Sequence, residues 1–206
     1  MTTAPTHDQP RPSACDDAVV VQDTVRWLER AVIGLNLCPF AKSVHTKGQI
    51  HYVVSHATDA RALLEDLQRE LEALAEAPPD KRDTTLLMAP LTMPDFLDFN
   101  DFLELADELV EAMDLAGILQ VASFHPRFQF EGTLADDVSN CTNRAPYPTL
   151  HLLREESIDR AVEAFPEAEE IFERNIEVLE RLGAEGWKAL DVGPRCPVDH
   201  GRKGGA

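Results

Sequence analysis

Four short apolar runs, interleaved with stretches of helical spacing, constrain the fold of this chain more than any other feature. "QIHYVVS" at 49–55, "TTLLMAPL" at 84–91, "ILQVAS" at 118–123 and "TLHLL" at 149–153 are short, and several are rich in residues that suit a pleated sheet. Two amphipathic segments separate the first three. Leu63, Leu67, Leu71 and Leu74 follow Asp59, and Phe99, Phe102, Ala106, Val110 and Met113 follow Pro94-Asp95. Such spacing lines each apolar set along one helical face. Pro78-Pro79 closes the first helix, and Gly117 is expected to take the left-handed conformation that ends the second. Strands alternating with helices predict an α/β fold with parallel pairing through helical crossovers. The expectation is a small mixed, mainly parallel sheet of about four strands flanked by amphipathic helices.

Upstream of the first strand, Val21, Val25, Leu28, Val32 and Leu35 form another helical stripe, weakened by Gly34 and Asn36 and stopped by Pro39. Downstream of the fourth, helices are expected over 157–164 and 166–182, with Gly183 as a cap. Residues 1–15 and 191–206 are rich in Pro, Thr, Ser or Gly without periodicity and read as flexible tails around one domain, 16–190.

The 206 residues, 44% of them hydrophobic, suffice for one core. A formal net charge of −18 repels phosphate backbones and anionic headgroups, which argues against nucleic acid and membrane surfaces as partners. The N-terminus lacks an apolar signal core, and no apolar run approaches the roughly 20 residues of a membrane span. Cys15, Cys38, Cys141 and Cys196 form no CxxC pair, which suits a reducing cytoplasm.

The acids are unevenly spread. Stretches 30–58, 115–130 and 138–154 contain no Asp or Glu, yet they hold His45, His51, His56, His125 and His151, five of the seven histidines. Lys42, Lys47, Arg127, Arg144 and Arg154 lie in them too. If these stretches meet, they form a local pocket that favours a small anion inside a negative shell. The rival reading is that histidine and aromatic residues simply populate better-buried segments.

In "LNLCPFAK", Cys38 is either a packed small hydrophobe or a nucleophile with Lys42 nearby. In "SFHPRFQF", His125 ends a strand, a position suited to acid–base work or to backbone hydrogen bonding in the loop. "NRAPYPTLHLLRE" offers Asn143 and Arg144 as anion ligands and places His151 on one strand face with Thr149, opposite Leu150 and Leu152. His56 ends the first strand and could converge with His125 and Arg144. Cys38, Cys141, His125 and His151 are zinc-type ligands but lack zinc-motif spacing, so no metal is assigned. No P-loop, GxGxxG, HExxH or GxSxG occurs, and any cofactor is left unspecified.

Two functional readings follow. One is an enzyme acting on a small anionic metabolite, with His125 as acid–base, Arg144 and Lys42 holding the anion, and Cys38 available as nucleophile. The other is a non-catalytic protein whose acidic helices, such as "EAEEIFERNIEVLERL" at 167–182, meet a basic partner.

The segments "VIGLNLCPFAK", "QVASFHPRFQFEG" and "NRAPYPTLHLLRE" together resemble those of a bacterial family of unknown function, over about residues 24–183. The resemblance implies that Cys38, His125, Asn143, Arg144 and His151 fall within signature segments. It implies no activity or cofactor.

Overall fold

The computed structural model describes residues 16–164 and 170–196. Helix α1 (Asp17–Trp27) runs without a break into a π-helical turn, Leu28–Ile33. There follow α2 (Ala41–Thr46), β1 (Ile50–Val54), α3 (Ala60–Glu76), β2 (Thr84–Met88), α4 (Phe96–Ala112) and β3 (Leu119–Phe124). A long connection containing a 3-10 helix, Val138–Asn143, leads to β4 (Thr149–Arg154), α5 (Glu155–Ala164) and α6 (Ile171–Ala189). Asp16, Asp59 and Asp95 cap α1, α3 and α4 by accepting backbone N–H bonds at 2.9–3.0 Å from residues in the first turn.

The strand order is β1-β2-β4-β3. β1 and β2 are parallel, whereas β4 is antiparallel to both of its neighbours. The sheet is therefore mixed, not mainly parallel as the alternation of elements suggested. β1, β2 and β3 do run the same way, but β4 enters between β2 and β3 and separates them. The β3–β4 connection is long enough to carry the chain back. β4 also carries apolar side chains on both faces, which suits a central position.

One sheet face buries Leu87, Leu150 and Leu152 against α3 and α4, whose Leu63, Leu67, Leu71, Leu74 and Phe99 are fully buried. Each such leucine contributes about 1.5–3 kcal/mol of transfer free energy. The other face carries Ile50, Tyr52, Leu86, Met88, Phe124 and His151, and α1 with its π turn packs over part of it. Arg154 points back to the first face and donates to the Leu74 and Ala77 carbonyls at 2.5 Å, satisfying the C-terminus of α3.

Gly183 takes φ 68° and kinks α6 instead of ending it. At the end of α4 the left-handed residue is Asp114 (φ 57°), with Gly117 (φ 78°) serving the turn into β3. Residues 1–15 and 197–206 of the expected tails lie outside the described residues. The stretch 191–195, however, is tightly held. Arg26 donates to the Asp191 and Gly193 carbonyls at 2.8 and 2.7 Å, and the Arg195 N–H donates to Asp23 at 2.7 Å. Cys38 and Cys141 are free thiols, while Cys196 is disulfide-bonded, a bridge that cysteine spacing did not foretell. Among the described residues, no helix is long and apolar enough to cross a membrane.

Candidate functional site

The stripe of α1 ends in a widened turn, and the widening has a local cause. A Cβ at Gly34 would sit 2.3 Å from the Arg30 carbonyl oxygen, so only glycine lets the backbone pass so close. Asn36 then takes the left-handed conformation (φ 55°), and the Leu37 N–H returns to the Val32 carbonyl at 2.8 Å. Buried Asn175 of α6 donates to the Leu37 carbonyl at 2.9 Å and pins the turn from outside. "LNLCPFAK" is thus a tight reversal that delivers Cys38 and the start of α2 to the uncovered half of the sheet. π-helical turns of this kind recur at functional sites.

What they enclose is a cleft of about 850 Å³. The π turn and α2 form one wall, α5 forms the other, and the β strands form the floor. Trp27, Val32, Phe40, Ile50 and Phe124 make the lining mainly apolar. Trp27 meets Phe124 edge-on at 5.0 Å between centroids, and Phe124 stacks at a tilt on His151 at 5.9 Å.

His151 lies on the floor, on the central strand β4, in one row across the sheet with Tyr52, Leu86 and Ala122. Burial among these groups pushes its pKa down to about 4, so the ring is neutral at physiological pH. No hydrogen bond to its ring nitrogens is formed by the described residues. A neutral imidazole carries one donor and one acceptor nitrogen. Cys38 lines the same cleft. Burial raises its thiol pKa, opposed by the backbone N–H groups of Phe40 and Ala41 that point at the sulfur. The group is therefore a thiol, not a thiolate, near neutrality, and the packing reading of Cys38 fits better than the nucleophilic one.

The remaining expected site residues lie elsewhere. His125 is buried between Phe96 and Phe99 on the α4 side of the sheet. Its Nε2–H donates to the Met93 carbonyl at 3.0 Å, and its Nδ1 accepts the Arg127 N–H at 3.0 Å. Both ring nitrogens are thus committed to backbone, which leaves no free nitrogen for acid–base work. Arg144 donates to the Phe128 and Ala135 carbonyls at 3.0 and 2.7 Å, pinning the long β3–β4 connection. Asn143 meets His125 through its carbonyl, which accepts the His125 N–H at 3.1 Å. His56 is exposed and lies 3.2 Å from Asp17, and Lys42 is exposed outside the cleft lining. The four zinc-type side chains form no metal-binding cluster: no group of three such ligands occurs among the described residues.

The family model of a protein of unknown function, DUF1415, matches residues 19–189. The chain belongs to DUF1415. No curated protein and no solved structure matches it. In this DUF1415 chain the matched span contains the whole cleft, from Trp27 to Ala161. It also contains the pinned loop with His125 and Arg144.

Sequence reasoning found Cys38 and His151 but gave no site role to Trp27, Lys47 or Phe124. The acid-free stretches were the available signal for Lys47 and Phe124, while Trp27 lies outside them. Cleft residues come from all three of them: Val32 to Ile50 from the first, Gln120 and Phe124 from the second, His151 and Leu153 from the third. The stretches do meet, on the opposite sheet face from His125.

Proposed function

We propose that this DUF1415 protein binds a small molecule with a mainly apolar body in the cleft beside His151. The observation that carries the reading is the convergence of the three acid-free stretches on one cavity with an unpartnered neutral imidazole on its floor. A volume of about 850 Å³ lies within the range of small-molecule sites, which combine apolar walls with a few polar groups. His151 fixes the ligand by one hydrogen bond, and the aromatic pair Trp27 and Phe124 packs on its body.

Binding fits better than acid–base turnover. An effective general base needs a pKa near the working pH, and burial holds His151 near 4. The enzymatic reading built on His125 finds both of its ring nitrogens bonded to backbone.

Saturation-transfer NMR with a library of aromatic and aliphatic fragments tests the proposal. Hits are expected to be lost in Ser43→Trp, which fills the cleft mouth from α2, and weakened in His151→Phe. Hits that survive both substitutions would place the binding site elsewhere and end this reading.

A further inference from the structure

We infer that the ligand of this cleft is an organic acid, an apolar body carrying one anionic group, and that the Lys47 ammonium receives that anion. The inference rests on the cleft being a ligand site, as proposed above.

Four charged side chains line the cavity: Lys47, Asp80, Asp83 and Arg160. Three of them are already answered by the protein. Asp80 lies 3.9 Å from the Lys81 ammonium. Asp83 accepts the Ser157 hydroxyl at 2.7 Å and faces the positive charge of Arg154. Arg160 lies 3.7 Å from Glu156 and donates to the Ser157 hydroxyl at 2.9 Å. Lys47 differs: its ammonium has no ion pair or hydrogen bond among the described residues. It stands just past the C-terminus of α2, where Gly48 (φ 67°) turns the chain into β1.

The wider charge pattern sharpens this assignment. The whole chain carries a net charge of −18, a field that repels anions from most of its surface. The wall bearing Lys47 belongs to the acid-free stretch 30–58, and most of the floor belongs to the other two. A cation without a counter-charge beside an apolar cavity, on a chain stretch that carries no acid of its own, matches a ligand with its charge at one end. The apolar end lies against Trp27 and Phe124, and the charged end reaches Lys47 near the mouth. A compact, hydrated ammonium on a flexible stem suits a point-charge contact of this kind.

Two fluorescent probes that share an aromatic body separate the claims. 8-Anilinonaphthalene-1-sulfonate carries an anion, and N-phenyl-1-naphthylamine is its uncharged counterpart. The full chain is titrated with each at low salt, alongside Lys47→Gln and two cleft-filling variants, Ala161→Trp and Ser43→Trp. The second filling variant guards against misfolding of the first, and circular dichroism checks all of them. Both probes should bind the wild type and be lost on filling the cleft. The sulfonate should bind about fivefold more tightly than the neutral probe, as expected of one partly exposed charge pair. Lys47→Gln should remove that preference and leave the neutral probe unchanged. A neutral probe that binds in the cleft as tightly as the sulfonate, with no effect of Lys47→Gln, overturns the organic-acid inference and spares the binding reading. Failure of both probes to bind, or binding indifferent to the filling variants, overturns the two together.

Discussion

Replacing Asp23 by Asn tests how the cleft wall is held. Asp23 is fully buried and accepts three hydrogen bonds: from Arg26 Nη1 at 2.7 Å, the Tyr147 hydroxyl at 2.8 Å and the Arg195 N–H at 2.7 Å. The Arg26 donor meets Oδ1, and the other two meet Oδ2. An asparagine keeps the shape but must turn its NH₂ toward one of these donors, and it leaves the Arg26 charge uncompensated. Removing one partner of a buried ion pair costs about 3–5 kcal/mol. Arg26 keeps its two carbonyl acceptors in the 191–195 segment, so the lower end applies, about 3 kcal/mol. For a domain of this size that lowers the melting temperature by roughly 6–12 °C. Tyr147→Phe removes only one donor and should cost about 1.5 kcal/mol. The double variant should cost less than the sum, because both changes disrupt one network. Urea unfolding followed by circular dichroism measures all three. A loss below about 1 kcal/mol for Asp23→Asn, at unchanged urea dependence, would show that the pair is not desolvated as the structure describes it. The consequence reaches the site: Val192 of the held segment packs with the cleft residues Trp27, Leu28 and Val32. Asp23→Asn should therefore also expose residues 191–195 to limited proteolysis.

Gly34→Ala places a methyl group against the Arg30 carbonyl, which cannot yield without opening the π turn; a loss of about 2–4 kcal/mol is expected, and wild-type stability in denaturant would refute the close approach. Because burial raises the pKa of Cys38, iodoacetamide should modify it slowly near pH 7 and rapidly only after denaturation; fast native alkylation, read by mass spectrometry, would restore the nucleophile. His151 has a folded pKa near 4, below the ordinary value of about 6.5, so the unfolded chain binds the proton first. Its contribution to stability is present above pH 6.5 and is lost as pH falls toward 4, by at most about 3 kcal/mol; the difference between wild type and His151→Asn in urea unfolding at pH 7 and pH 4.5 measures it, and an equal difference at both pH values would contradict the burial of this ring.

Local chemistry settled much of this protein. The Asp59 and Asp95 caps, the leucine stripe of α3 and the apolar runs at 84–88 and 149–153 all act within a few residues, and each formed its expected element. The alternation along β4 likewise put His151 opposite Leu150 and Leu152. The uneven distribution of acids was also readable, and it marked segments that supply part of the cleft lining. What the chain order could not convey is which strand lies beside which. β4 enters between β2 and β3, and that choice is made by burial of both its faces across the sheet, not by any neighbour in sequence. The helical stripe expected along α1 met the same limit. Its buried face includes Asp23 and Arg26, because their partners Tyr147, Asp191, Gly193 and Arg195 arrive from over a hundred residues away. The two central histidines make the point most sharply. His125 and His151 both lie in acid-free stretches and look equally able to act. Only the tertiary structure gives His125 two backbone partners and leaves His151 facing a cavity, since a side chain's free hydrogen-bonding capacity depends on what the rest of the fold brings to it.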